Sequence, residues 1–139
     1  MNIKYHTDIQ GPHPSEIFVF GSNLRGVHGA GAAKAAKEYH GAVYGIGIGR
    51  TGDSYAIPTK DAYIKTLPLQ QIEIYVNDFI RYVNENPWYS YYITRIGCGL
   101  AGYKDYQIAP MFLPLKNKLN CRFPLEWKQY LEGVNDVSF

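Results

Sequence analysis

Cysteine is scarce in this sequence, neither sign of charge dominates, and no long apolar run occurs; each shortage removes a class of protein. Only Cys98 and Cys121 are present, too few for a disulfide framework and not spaced as metal ligands. The four histidines, His6, His13, His28 and His40, form no HxxxH pattern, so no metal or other cofactor is expected. Lys and Arg number 14 against 12 Asp and Glu, a formal net charge of +2. A nucleic-acid surface would need a basic stripe, and this balance supplies none. Without such a stripe, the 13 tyrosines read as sheet and cleft residues rather than as base-stacking platforms. The opening MNIKYHTDIQ lacks an apolar signal core, and no stretch approaches membrane-spanning length. The expectation is a soluble, cytoplasmic protein.

What is present is an alternation of strand and helix signals. The 139 residues suffice for one domain with a real core, so residues 1–139 are read as a single domain. Ile17 to Phe20 is a continuous apolar run, as expected of a strand covered on both faces. From Gly29 the chain turns to small residues, and Ala32, Ala33, Ala36 and Tyr39 share one face of a helix that Gly41 stops. Residues 42–52 begin like a short strand and become a glycine-rich loop, and Ser54 to Ile57 forms a strand ended by Pro58. Leu69, Ile72, Val76, Phe79, Ile80 and Val83 follow the helical period between Pro68 and Asn86-Pro87. A strand over Tyr91 to Ile96 runs into GCGLAGYKD, and a helix is read over Asp105 to Phe112, broken or kinked by Pro110 and Pro114. A last strand over Asn120 to Phe123 and a helix opened by Pro124 and stopped by Gly133 complete an α/β chain with one helix-covered sheet.

Glycine concentrates in three clusters, Gly21–Gly31, Gly41–Gly52 and Gly97–Gly102. The first and third directly follow apolar strands. Ligands collect at such strand-to-helix edges because bare backbone N–H groups and helix dipoles point there. Several glycine-lined loops on one edge suit phosphates, and above all a diphosphate. Two familiar phosphate motifs are excluded. GIGRTGDS mimics a P-loop but has Asp53 where the lysine belongs, and Gly45-Ile-Gly47-Ile-Gly49 misplaces the third glycine of a dinucleotide fingerprint.

FVFGSNLRGVHGAGAAKAA resembles the macrodomain signature: a strand, an asparagine-containing turn, a glycine-rich loop with a Gly-Val step, and a small-residue helix. RIGCGLAGY resembles the second macrodomain loop, and the two stretches stand in the family's order and separation. The resemblance covers roughly residues 8 to 112. It implies a three-layer α/β/α sandwich with a mixed central sheet, and ADP-ribose as the ligand. By position, Gly21, Ser22 and Asn23 form the turn, while Gly26, Val27, Gly29, Ala30 and Gly31 line the distal-ribose side. Gly97, Cys98, Gly99, Leu100, Ala101 and Gly102 supply N–H donors to the diphosphate, and Tyr103 closes over the distal ribose. Thr7-Asp8-Ile9 matches the family's Gly-Asp-Ile step, which makes Asp8 the counterpart of the acid that binds the adenine amino group.

Three readings of the activity stay open under this resemblance. One hydrolytic branch places a water with an asparagine, matched by Asn23, and an aspartate, replaced here by His28. A second branch, similar to the terminal ADP-ribose protein glycohydrolase, uses a lysine after an apolar strand, and SYAIPTKD puts Lys60 at that position. Its second-loop aspartate is Ala101 here, which leaves Asp105 or Asp61 as the candidate carboxylate beside a nucleophilic lysine. The partners implied are a small nucleotide ligand and, for a hydrolase, an ADP-ribosylated protein or nucleic acid. The alternative is a non-catalytic protein that sequesters an NAD-derived signalling nucleotide, as a phage counter-defence product would. Loss of ligand, with a role in oligomerisation only, is the third reading, and the intact glycine loops argue against it.

Overall fold

The computed structural model describes residues 2–7 and 10–133. Asp8 lies outside the described residues. Six strands form one sheet: β1 (Lys4–His6), β2 (Glu16–Asn23), β3 (Gly49–Thr51), β4 (Ser54–Lys60), β5 (Ser90–Ile93) and β6 (Cys121–Pro124). Their spatial order is β1-β6-β5-β2-β4-β3. Every pairing is parallel except β3 with β4, so the sheet is mixed.

β2 is central because its residues are apolar on both faces. Ile17 and Val19 join the larger core, whereas Phe18 and Phe20 belong to the smaller one on the opposite side. Helix α1 (Gly31–Tyr39) covers that smaller core with Ala36. The larger core lies under α2 (Leu69–Glu85), which buries Ile72, Val76, Phe79 and Val83 at helical spacing. Each of these side chains contributes about 1.5–3 kcal/mol of hydrophobic stabilisation. The same side carries α3 (Asp105–Ile108), a 3₁₀ helix over Ala109–Leu115, a short 3₁₀ turn over Leu125–Trp127 and α4 (Lys128–Leu131). The result is helix, sheet and helix in three layers, an α/β/α sandwich.

The helix read over Asp105 to Phe112 breaks as its prolines imply, α-helical only to Ile108 and then 3₁₀-helical over Ala109–Leu115. Pro110 and Pro114 have no N–H to continue the α ladder. Several other local readings change. Pro58 does not end its strand: β4 runs on to Lys60, and the register against β2 shifts at Ser22/Asn23, where a bulge accommodates the proline. The strand expected over Tyr91 to Ile96 stops at Ile93, and no strand forms directly after Ala42, where the chain turns at Tyr44–Gly45. β1 and β3, three residues each, carry no apolar run and arise from pairing at the sheet edges.

The middle glycine cluster serves the fold. A Cβ on Gly47 would run into the Asn23 carbonyl, and one on Gly26, at φ +74°, into the Gly45–Ile46 peptide. The loop over residues 41–48 therefore lies flat against the turn after β2, held by Gly45 N–H to Gly26 O at 2.8 Å and by the Ser22 hydroxyl on the Gly47 carbonyl.

Candidate functional site

The two outer glycine loops meet. They follow the C-terminal ends of β2 and β5, neighbours in the sheet, and both line a cleft of about 680 Å³. Gly21, Ser22, Asn23, Val27, Gly29, Ala30 and Gly31 line it from the first loop, and Gly97, Cys98, Gly99, Leu100 and Ala101 from the second. Gly26, Gly102 and Tyr103 do not line it. Gly26 packs on Gly45, and the Tyr103 hydroxyl donates to the Leu67 carbonyl while its ring rests on the larger core.

Local bonds explain both loop shapes. The Asn23 side chain staples the first loop: its Nδ2 donates to Val27 O at 2.8 Å and its Oδ1 accepts from Val27 N at 3.1 Å. In the second loop, Tyr103 N–H closes on Gly97 O at 2.9 Å and Gly102 N–H on Gly99 O at 3.0 Å. Thr94 anchors its start through a 2.7 Å bond from Oγ1 to Val19 O. These closures leave the amides of Gly99, Leu100 and Ala101 without a protein acceptor among the described residues, and likewise those of Gly29, Ala30 and Gly31. Gly29 and Gly99 also face open space, where an added Cβ would meet nothing within 4 Å. The first turn of α1 begins at this point with its N–H groups directed out of the helix end.

Charge in the cleft is one-sided: Lys60 and Arg95 line it, and no aspartate or glutamate does so among the described residues. Both candidate carboxylates are committed elsewhere. Asp61 Oδ1 accepts from Tyr63 N at 2.8 Å and Lys65 N at 3.0 Å, which folds the turn after β4. Asp105 accepts from Arg95 Nε at 3.2 Å, Arg95 Nη2 at 2.7 Å and Trp127 Nε1 at 2.9 Å. Burial alone would raise its pKa, but the hydrogen bonds from Arg95, Cys98 and Trp127 outweigh it and hold the carboxyl below the usual carboxylate range. The Cys98 thiol is pushed up to about 12 by burial and by Asp105, which removes it as a thiolate nucleophile. No group of His, Cys, Asp and Glu suited to a metal ion occurs among the described residues.

Sequence reasoning missed the far end of the cleft. His6 of β1, Tyr92 of β5, Phe18 of β2 and His40 beyond α1 form a column of near-parallel rings, with successive centroids 3.8, 5.9 and 4.3 Å apart. All four line the cleft, beside Gly11 and Pro12. The register that sets Phe18 opposite Tyr92 is the one signal that could have been found, as aromatic residues on the same face of two strands. His40 and His6 stand 34 positions apart in the sequence, where no short motif connects them. Ile64, at φ +64°, and Thr59 complete the other end around Lys60.

No family model and none of the curated proteins match the chain. Among solved structures, the chain is similar to the macrodomain of Mycobacterium tuberculosis DarG. The TM-score is 0.60 at 20% identity, covering 88% of this chain and 97% of that one. At that identity the likeness lies in the backbone, and it agrees with the mixed sheet and the helix layers: this chain has the macrodomain fold.

Proposed function

We propose that the cleft binds ADP-ribose or a related NAD-derived nucleotide. The observation that carries this reading is the pair of facing loops whose free amides, together with the first turn of α1, surround a space that contains cations and, among the described residues, no carboxylate. Such a space favours a diphosphate, since each N–H finds an oxygen and the helix dipole adds attraction. The ring column offers an apolar wall to a base, and a cleft of about 680 Å³ is of the size that small nucleotides occupy. The residues carried here are Ser22, Asn23, Val27, Gly29, Ala30, Gly31 and Gly97 to Ala101.

Between hydrolysis and sequestration, the commitment of Asp61 and Asp105 to other partners favours sequestration. A lysine nucleophile at position 60 would lack a carboxylate to handle protons. Free ADP-ribose released from an ADP-ribosylated protein, measured over time, separates the two. Sequestration predicts ligand recovered unchanged on denaturation and no turnover. Turnover lost in Lys60→Ala would establish the hydrolase instead.

A further inference from the structure

The cleft has a direction. Its ring column belongs to β1, β5 and β2, whereas Lys60 stands at the end of β4, beyond β2 from β5. The free amides lie between, on the loops after β2 and β5. A ligand with its base on the column and its diphosphate at the amides therefore brings its other terminus to Lys60 and Ile64. This placement rests on the function proposed above. At that terminus the Lys60 ammonium has no ion pair or hydrogen bond among the described residues. Arg95, by contrast, is engaged by both oxygens of Asp105, and among the described residues no acidic side chain lines the cleft to offset a second positive charge.

We propose that Lys60 is a specificity-determining residue that admits a neutral or anionic ligand terminus and rejects a cationic one. ADP-ribose and a dihydronicotinamide dinucleotide then fit, while an oxidised, pyridinium-bearing dinucleotide is excluded by charge. Discrimination by an unfavourable juxtaposition is a recognised route to specificity, and a like charge within a few ångströms in a half-exposed cleft has the needed strength. NADH and NAD⁺ isolate the effect, because they differ at that terminus by little except the ring's positive charge.

The test is calorimetric titration of the full chain with ADP-ribose, NADH and NAD⁺ at low and at high salt. Expected is NADH binding about tenfold more tightly than NAD⁺, a preference that shrinks in high salt. Lys60→Gln should bring the two within about twofold, while Lys60→Arg, which keeps the charge, should preserve the gap. Equal affinities of the unaltered protein for NADH and NAD⁺ would overturn the proposal without needing any variant to fold. So would a gap that survives Lys60→Gln. If ADP-ribose itself fails to bind, the function proposed above falls and takes this with it; if ADP-ribose binds and the gap is missing, only the selectivity falls.

Discussion

Two glycines of the first and second loops do opposite work, and alanine should tell them apart. At Gly26 an added Cβ meets backbone, and the φ of +74° disfavours any side chain; Gly26→Ala is expected to lose about 1–3 kcal/mol in urea unfolding. At Gly99 an added Cβ meets nothing within 4 Å. Gly99→Ala should change stability by less than about 0.5 kcal/mol, yet weaken ADP-ribose binding, because the methyl group enters the space before the free amides. Equal effects of the two substitutions on stability would contradict this division. Histidine sets a second residue-scale expectation. His28 is buried, neither ring nitrogen meets a partner at full hydrogen-bond geometry among the described residues, and the ring packs edge-on to Phe20 with 5.7 Å between ring centroids. Burial, aided by Lys37, lowers its pKa, and the nearby Ile46 backbone offsets this only in part. Burial likewise lowers His40, against the pull of Asp53. The unfolded chain thus takes up these protons first, so their contribution is intact above about pH 6.5 and is lost as pH falls toward the depressed folded values. Unfolding free energy should decline between about pH 7 and pH 5, and His28→Leu should flatten that decline.

At the scale of elements, the second loop is held to the helical layer through one carboxylate. Asp105 opens α3, grips Arg95 at the start of the loop, and accepts from Trp127 of the 3₁₀ turn after β6. Its side chain is 17% exposed, so the bonds are only partly screened. Asp105→Asn keeps the shape but weakens the bidentate pair with Arg95. We expect about 1–3 kcal/mol of lost stability, read by chemical denaturation. Catalysis through Asp105 would instead predict wild-type stability with lost turnover. The elements also show what a sequence makes legible. β2 and α2 could be read directly because their residues commit to a period: an unbroken apolar run in one, and Ile72, Val76, Phe79 and Val83 at helical spacing in the other. β1 and β3 could not, since three residues of mixed polarity become strands only when β6 and β4 lie beside them. The break in the segment after Asp105 could be read from Pro110 and Pro114, but not its continuation as a 3₁₀ helix that buries Phe112 and Leu115. Both outer glycine loops were legible as loops that line a cleft at the sheet edge, because glycine marks where backbone is bare. The ring column and the commitment of Asp61 and Asp105 were hidden, because each depends on residues far apart in the chain.

For the whole molecule, parallel β2 and β5 carry both loops out of the same sheet edge, so one cleft receives two sets of unpaired amides. The Glu16–Arg122 pair, 5% and 15% exposed with a 2.6 Å contact, ties β2 to β6 beneath the ring column and fixes that end. No helix among the described residues is long and apolar enough to cross a membrane. The central claim is that the amides of residues 29–31 and 99–101 hold a diphosphate together. Titrating isotope-labelled protein with ADP-ribose and following each backbone amide resonance tests it most directly. The account predicts large, saturable shifts at Gly29, Gly31, Gly99, Leu100 and Ala101, with smaller ones at Phe18 and Tyr92. Shifts confined to another face, or none at millimolar ADP-ribose concentration, would contradict it.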